Sequence, residues 1–441
     1  MNDQWKSDSD LKKKAKKFFE LARNSVVTDT AQIPELFSRG GFRMLGGLMF
    51  SINEETAHSQ HELVARCVKL LEAKSAHENE IENLAWDCVQ NSLAGEDVSS
   101  DIEKIAADFL NALHAHIQRQ YQYVSPNNII RFQGAVAQLC IGPVEALLAS
   151  NHLPKLFEAN KILSWSLGSK FEMTISVPGG VSFEFPPVIW RVSLQAAPGH
   201  IEEEATWLIN IAISLLRLSY PTNKNYGLFP KNGARELHPV FPSQMHKQGI
   251  TFADGNASYG GGAVGGLYEI DSDVIAVTES PVFKSRAKAI FSPNRRSLGE
   301  RFGQGLGWLT RGRQSADRAE KFLFFFTAIE SLLSSDDKTA PVVQTISRYV
   351  SVILQDDTKL RSQLAGKLKS LYAIRSGLVH AGVRNVSNSD VNIIQHVTES
   401  IYWVVMDRIE LTTSFIDFHE SLSESSYGLP WMQKPEAPCV I

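Results

Sequence analysis

Residues 371–382 have the sequence Leu-Tyr-Ala-Ile-Arg-Ser-Gly-Leu-Val-His-Ala-Gly and close a segment that begins at Thr358. Leucines recur in this segment every three to four residues, which is typical of one face of an amphipathic helix. A glycine such as Gly382 commonly follows the last turn of a helix. We therefore predict a long helix that ends near Val379, and this helix organises the fold of the C-terminal third of the chain.

Three neighbouring segments also have the apolar spacing of helices. Asp317 and Glu320 stand near the start of the first, where the helix dipole favours acidic side chains. Pro341 suits the first position of the second. Helices joined by short connections pack into bundles. We predict a four-helix bundle from the segment above together with residues 315–333, 341–354 and 390–421.

The preceding two thirds of the chain change character partway along. Helical spacing dominates first, and alternating polarity typical of strands follows. The helical segments are residues 11–24, 61–73, 81–93, 99–123, 127–149 and 202–219, and the strand-like segments are 170–177, 181–185, 188–194 and 267–278. These patterns predict a mainly α fold with a central α+β section.

The predicted elements divide the chain into three regions. Residues 1–155 form a helical N-terminal region, and residues 156–290 form an α+β middle domain that is a candidate sensor or regulatory domain. Residues 291–441 contain the bundle. Regions of 100–200 residues are a usual size for independent domains.

The overall composition is that of an ordinary globular protein. Of the 441 residues, 43% are hydrophobic and 21% are charged, and the formal net charge is −4. A chain with this charge does not attract polyanions as a whole, so contact with RNA requires a local basic patch. No window of about 18 apolar residues is present, and we expect no membrane span.

The four cysteines, Cys67, Cys88, Cys140 and Cys439, lie far apart and form no Cys-x-x-Cys pair. Zinc sites and disulfide frameworks usually bring such pairs together in the sequence. The cysteine usage is therefore typical of a protein in a reducing cytoplasm. We predict neither a bound metal nor a cofactor.

The last turns of the predicted C-terminal helix contain an arginine, four further residues and a histidine. This Arg375-x4-His380 spacing resembles the signature of the HEPN superfamily, many of whose members are metal-independent ribonucleases. The fuller pattern, Tyr372-x-x-Arg375-x-x-x-Val379-His380-x-Gly382, is similar to the ApeA-like branch, which is known from prokaryotic anti-phage defence. The bundle would then be of the HEPN type.

A second part of the resemblance lies earlier in the bundle. The ApeA-like branch places an aromatic-rich helix that ends in a glutamate near the start of the domain, and residues 322–330, which end at Glu330, are similar. Arg348 in the following helix is a further candidate. The resemblance covers roughly residues 300–420, and it implies supporting roles for Tyr372, Glu330 and Arg348.

The motif residues suit cleavage of RNA without a metal, in which the ribose 2′-hydroxyl attacks the adjacent phosphorus. An imidazole such as that of His380 can accept or donate a proton at neutral pH. The guanidinium of Arg375 matches phosphate oxygens and can stabilise the developing negative charge. Ser376 can orient the phosphate or a water molecule by hydrogen bonding. The products would be a 2′,3′-cyclic phosphate and a 5′-hydroxyl.

The spacing of the motif raises a geometric problem. Positions five apart on a regular helix are separated by about 140°, so Arg375 and His380 cannot share one helix face. Gly377 and Gly382 are positions at which the helix could kink or end. The resemblance implies a second solution, because HEPN domains usually pair so that two motifs face one cleft. We therefore predict a symmetric homodimer, formed through the bundle, with a composite site.

A purely structural role is the alternative for the same pair. Cations are favoured at helix C-termini, so Arg375 can cap carbonyl groups there while His380 packs beside it. A HEPN fold that binds nucleotide or protein without cleaving RNA is an intermediate possibility.

A basic stretch adjoins the predicted bundle. Residues 284–321 contain ten basic and three acidic residues, a local net charge of +7. Within it, Arg311, Arg313, Arg318 and Lys321 are the candidate RNA-binding residues. The alternative is that these side chains form the solvated face of a helix and a linker.

Together these patterns predict an endoribonuclease effector of prokaryotic anti-phage defence. In this hypothesis the N-terminal 290 residues bind a phage-derived or other trigger, or hold the nuclease inactive. The alternative hypothesis is a non-catalytic HEPN-like module for dimerisation or for binding nucleotide or protein. A scaffold built on the helical N-terminal region is a third interpretation.

Overall fold

The computed structural model describes residues 3–28, 41–94, 101–159, 165–168, 173–177, 181–220, 249–253, 256–260, 268–334, 342–428 and Trp431. Over these ranges the chain is mainly helical, with a small region of sheet in its middle part and helices towards its C-terminal end. The prediction of a mainly α fold with a central α+β section is confirmed in this general form.

The helices and strands of the described residues are numbered separately in chain order. The helices are α1 (Ser9–Asn24), α2 (Glu54–Leu70), α3 (Glu78–Ala94), α4 (Ile102–Gln118), α5 (Ala149–Ala159), α6 (Ile201–Ser219), α7 (Ser272–Glu279), α8 (Pro281–Phe291), α9 (Leu298–Gln314), α10 (Arg318–Leu333), α11 (Val342–Leu354), α12 (Thr358–Ala381), α13 (Asn388–Arg408) and α14 (Phe415–Ser425). The strands are β1 (Phe42–Leu45), β2 (Leu48–Ser51), β3 (Tyr121–Pro126), β4 (Ile130–Phe132), β5 (Gln138–Ile141), β6 (Val144–Leu148), β7 (Trp165–Leu167), β8 (Met173–Val177), β9 (Val181–Phe185), β10 (Val188–Leu194), β11 (Gly249–Ala253), β12 (Asn256–Gly260) and β13 (Tyr268–Ile270).

The chain divides into two compact units. The first comprises Met1–Tyr123 and Ser193–Ala205, and the second comprises Val124–Val192 and Thr206–Ile441. The boundary that the sequence suggested after residue 155 lies inside the second unit, because the strands just before this position pair with β10.

The first unit is built on an aromatic core supplied mainly by helices. Helix α1 buries an apolar stripe that includes Phe18 and Phe19, and its lysines lie on the other face. The ring of Phe18 meets Trp86 of α3 edge to face, with 5.3 Å between ring centroids, and Phe19 meets Phe109 of α4 at 5.7 Å. Such edge-to-face pairs add to the stabilisation that burial provides.

The largest sheet has the strand order β3-β10-β6-β5 and belongs largely to the second unit. Strand β6 pairs antiparallel with both β10 and β5, and Trp190 of β10 lies opposite Ala146 of β6. Separately, β7, β8 and β9 form an antiparallel sheet, and β13 pairs in parallel with β4. The strands predicted at 181–185 and 188–194 coincide with β9 and β10.

Two of the predicted elements are wrong in type. Residues 127–149 were expected to be helical, but they form β4, β5 and β6 before α5 begins. Burial in β5 alternates with a period of two, and Gly134 and Gly142 adopt positive φ at turns that a helix cannot contain. The strand expected over 267–278 stops at Ile270, because Asp271 accepts hydrogen bonds from the next backbone amides and starts α7.

The C-terminal helices follow the predicted pattern with two changes. The helix expected over 390–421 is interrupted after Arg408, where the chain runs alongside the start of α9 through backbone hydrogen bonds from Leu298 and Gly299. Ser414 then caps α14. In addition, α9 is a helix that the prediction of four segments did not include. Helix α10 packs against α9, α11, α12 and α13.

Helix α9 is unusual because it contains several glycines and packs very closely on its neighbours. At Gly305 a Cβ atom would overlap the hydroxyl of Tyr402 from α13, and that hydroxyl donates a hydrogen bond of 2.7 Å to the carbonyl of Ala328 in α10. At Gly307 a Cβ would lie 2.5 Å from the ring of Trp207. The absence of side chains at these two glycines therefore determines how closely α13 and α6 approach α9.

A buried ion pair also joins α9 to α13. Arg313 and Glu399 contact each other with side chains that are 3% and 0% exposed. Gln395 donates a further hydrogen bond of 3.1 Å to the same carboxylate. A charge at this depth is tolerated only when it is paired and hydrogen-bonded, so the contact restricts how the two helices can pack.

The tight contact at Gly305 predicts a large difference between two glycine-to-alanine substitutions. Gly305→Ala should lower the free energy of unfolding by about 1–3 kcal/mol, because the added methyl forces α9 away from Tyr402. At Gly366, in α12, a Cβ would meet nothing within 4 Å. Gly366→Ala should therefore raise the free energy of unfolding by about 0.5–1 kcal/mol. Urea unfolding followed by circular dichroism measures both changes, and equal shifts would contradict the packing described.

Candidate functional site

Two helices of the second unit carry the motif residues. Asp317 caps the start of α10 by accepting hydrogen bonds from two backbone amides, at 2.9 and 3.0 Å, and Asp357 caps α12 in the same way. Phe326 of α10 packs edge to face on Tyr372 of α12, with ring centroids 5.4 Å apart. This aromatic contact brings the end of α10 beside the C-terminal half of α12.

Glu330 is the centre of the group that forms there. The hydroxyl of Tyr372 donates a hydrogen bond of 2.6 Å to Glu330 Oε1, and Arg375 Nη2 donates one of 3.1 Å to Glu330 Oε2. The guanidinium carbon of Arg375 lies 5.4 Å from the centroid of the Tyr372 ring. The structure thus joins three of the predicted residues in one hydrogen-bonded group, which we call the Glu330 group.

The Glu330 group lies at the edge of the core. The side chains of Arg375 and Glu330 are 24% and 19% exposed, while Tyr372 is 9% exposed. Burial raises the pKa of Tyr372 to about 12, and the hydrogen bond to Glu330 and its negative charge add to the rise. The phenol therefore remains a hydrogen-bond donor across the physiological range, and it holds the carboxylate in place for Arg375.

His380 is not part of this group within one chain. Helix α12 continues without interruption through Gly377, so the predicted kink there is absent, and it ends at Gly382, which adopts the left-handed conformation with φ of 66°. On a regular helix the five-residue separation corresponds to about 140° of rotation and a rise of about 7.5 Å. His380 is exposed, and the described part of the chain offers it no hydrogen-bond partner.

The two remaining motif candidates are also separate from the Glu330 group. Ser376 is half-buried on α12 beside Arg375. Arg348 is exposed on α11, where its guanidinium lies 5.3 Å from the ring centroid of the adjacent Tyr349. Among the described residues, no hydrogen bond or ion pair connects Arg348 to Glu330. The supporting role predicted for Arg348 is therefore not matched by a contact with the Glu330 group.

The basic stretch at 284–321 is distributed over three helices and is not a uniform patch. Arg313, one of the predicted RNA-binding residues, is buried against Glu399 and is not available to a phosphate. Arg311 is half-buried, Lys321 is half-buried and Arg318 is exposed. Three of the four candidate residues therefore reach the surface, on the hairpin of α9 and α10.

Sequence reasoning missed an aromatic cluster around one of these cations. The guanidinium carbon of Arg311 lies 5.1 Å from the ring centroid of Trp207 and 5.3 Å from that of Trp308. Trp207, in the middle section of the chain, is half-buried. The spacing of Trp308 and Arg311, three apart on one helix, was the available signal.

Several classes of site receive no support from the structure. Within the described ranges, no three His, Cys, Asp or Glu side chains are arranged to hold a metal ion. No helix in those ranges combines the length and the apolarity needed to cross a membrane. Burial raises the pKa of the Cys67 thiol to about 12 and that of Cys88 to about 11, which makes both thiols poor nucleophiles.

The comparisons with known proteins give no relative for this chain. No family model matches it, and neither the curated proteins nor the solved structures include a match. The Glu330 group must therefore be interpreted from its own chemistry.

The position of Tyr372 predicts a dependence of stability on pH. The pKa of a tyrosine in an unfolded chain is about 10. Above that pH the folded state keeps a proton that the unfolded state has lost. The stabilisation is present below pH ~10 and is lost as the pH rises towards 12. Tyr372→Phe removes this component, and its urea midpoint should fall less steeply than that of the wild type between pH ~9 and ~11.5.

Tyr427 provides the control for this measurement, because it is 84% exposed. Tyr427→Phe should keep the wild-type slope. A Tyr372→Phe slope that coincides with the wild type would show that folding does not raise the pKa of Tyr372.

Proposed function

We propose that the protein is a metal-independent endoribonuclease that acts through Arg375 and His380 at the interface of a homodimer. One observation carries the proposal: Glu330 and Tyr372 hold Arg375 in a defined position at the protein surface. The resemblance of Tyr372-x-x-Arg375-x-x-x-Val379-His380 to the ApeA-like HEPN branch supports the same reaction, and Glu330 occupies the place that this resemblance gives to a glutamate.

The chemistry follows from the groups present. The 2′-oxygen of the ribose forms a bond to phosphorus, and the bond from phosphorus to the 5′-oxygen breaks. His380 accepts the proton of the 2′-hydroxyl and later releases it to solvent, and the leaving 5′-oxygen takes up a proton from solvent. Arg375 faces the phosphoryl oxygens, where its guanidinium stabilises the added negative charge. Ser376, next to Arg375, donates a hydrogen bond to phosphate or water.

A second copy of the chain supplies what one copy lacks. Arg375 and His380 lie on different sides of α12, so one chain presents half of a site. The surface around His380 contains Val379 and Val383, which are 49% and 53% exposed. In the proposal these two side chains form part of the contact between the two copies. A symmetric pair would bring the His380 of each copy towards the Arg375 of the other.

Mixing two inactive variants tests the composite site. Arg375→Ala and His380→Ala should each lose at least about 100-fold in RNA cleavage. Dimers formed from a refolded equimolar mixture should recover up to about a quarter of wild-type activity, since half are mixed and each contains one intact pair. The readout is cleavage of labelled RNA to a 2′,3′-cyclic phosphate, in lysate if a trigger is needed.

The matched control for this experiment is Arg131→Ala, because Arg131 lies on β4, is 60% exposed and is not part of the Glu330 group. Its activity should stay within about twofold of the wild type. If the mixture stays inactive while both single variants form dimers, the composite site is wrong. If the double variant Arg375→Ala/His380→Ala cleaves as well as the wild type, the ribonuclease proposal is wrong.

A non-catalytic module remains the second candidate, and one contact favours it. The ion pair with Glu330 neutralises part of the charge that Arg375 would offer to a phosphate. In this case the Glu330 group stabilises the packing of α10 on α12 and the surface near His380 serves dimerisation. Binding of RNA or nucleotide without cleavage, in every condition tested, would favour this function.

The biological setting that we propose is anti-phage defence, with RNA as substrate and the preceding 290 residues binding a phage-derived trigger. The support for this setting is the resemblance of the C-terminal motif alone. Cells that express the wild type should survive phage challenge better than cells that express His380→Ala. Equal survival at equal expression would remove the defence role and leave the enzymatic proposal standing.

A further inference from the structure

The hairpin of α9 and α10 carries an aromatic surface that the ribonuclease site does not use. Trp308 of α9 stacks on Phe324 of α10, with ring centroids 5.6 Å apart and planes 23° apart. Trp207 of α6 meets Trp308 edge to face at 5.3 Å, and Arg311 lies against both indoles. We call Trp207, Trp308, Phe324 and Arg311 the aromatic platform.

The aromatic platform differs from the core aromatics of the same helices. Phe302, Phe322 and Phe325 are completely buried, whereas every member of the platform is partly accessible to solvent. Gly307 allows the Trp207 ring to lie this close to α9, because a Cβ at this position would be 2.5 Å from the ring. The rings are therefore held in fixed places while part of their surface stays open.

Cations line the hairpin from the rings towards the turn that connects α9 and α10. Trp308 meets Phe324 across two antiparallel helices. Arg311 and Lys321 are each three residues nearer the connecting turn, so they come opposite one another. Arg318 follows one turn further and is exposed. The carboxylate of Asp317 at this end is engaged by Arg384 and by the backbone amides that it caps.

We propose that the aromatic platform binds single-stranded RNA by stacking unpaired bases on its rings and on the Arg311 plane. Every base has a π-face, so stacking of this kind depends little on sequence. Lys321 and Arg318 lie where the phosphates of such a strand would pass. The choice of RNA as the nucleic acid rests on the proposed ribonuclease function, whereas the stacking surface is independent of it.

A double-stranded ligand does not suit this surface. The bases of a duplex are stacked inside it, and their faces cannot reach the rings. Phe324 also lies about 120° around α10 from Glu330, six residues away, so the platform and the Glu330 group occupy different faces. The surface would capture a strand outside the cleavage site and select unpaired over paired RNA.

The test uses the full chain with Arg375→Ala and His380→Ala, so that bound RNA is not cleaved. A fluorescent 12-nucleotide single strand of mixed sequence is titrated, and the same length of duplex RNA serves as comparison. Replacing Trp308 by Phe and then by Leu should weaken single-strand binding in that order. The Kd of the Leu variant should be about tenfold higher. This lies within the ~5- to ~150-fold weakening expected when one stacked base is lost.

The matched control is Trp403→Leu, because Trp403 is 39% exposed on α13 and belongs to no described aromatic pair. It should leave the Kd unchanged within about twofold, and circular dichroism should show that all variants are folded. Arg311→Lys keeps the charge but removes the planar group, and should weaken binding by about three- to fivefold.

The proposal is wrong if the protein binds duplex RNA as tightly as single-stranded RNA. It is also wrong if folded Trp308→Leu has the Kd of the parent protein, or if Trp403→Leu raises the Kd as much as Trp308→Leu does. Single-strand binding that follows the Trp, Phe, Leu order supports the platform. If the variants follow this order of affinity but the protein with Arg375 and His380 intact never cleaves RNA, the proposed enzymatic function is wrong and this inference stands.

Discussion

The closeness of α9 to α10 and α13 is the constraint on which the rest of the second unit depends. Glycines at the contact let Tyr402 reach across α9 to the backbone of α10, where a larger residue would separate the helices. Interiors packed at this density transmit small displacements to their neighbours. The stacking of Trp308 on Phe324 and the position of Glu330 both rely on α10 being held at this distance from α9.

The Glu330 group shows how a short motif gains a defined geometry. A lone arginine on a helix surface has many conformations, and fixing it costs side-chain entropy. Here a carboxylate from another helix accepts hydrogen bonds from both Tyr372 and Arg375, and the phenol stays protonated because its burial disfavours the charged form. The guanidinium is thereby held in position without a ligand, as the electrostatic role that we propose for it would require.

The sequence predicted α10 and α12, because long apolar periodicity lies in local sequence. The resemblance named Glu330, Tyr372 and Arg375, and the structure shows that these three side chains are in contact. The strands between 127 and 149 could not be identified, since they are short and their pairing with β10 is a tertiary property. The burial of Arg313 was equally hidden. Its partner Glu399 lies 86 residues away, and only the packing of α9 on α13 brings the two together.

The regularity of α12 has a consequence for control. Arg375 and His380 belong to one uninterrupted helix, so the helix backbone sets the distance between their Cα atoms within a chain. If the two groups act together across a pair of chains, the distance between them depends on the angle and distance between the α12 helices of the two copies. A partner or trigger that tilts one copy relative to the other by a few degrees would then switch the site on or off while every intrachain contact stays the same.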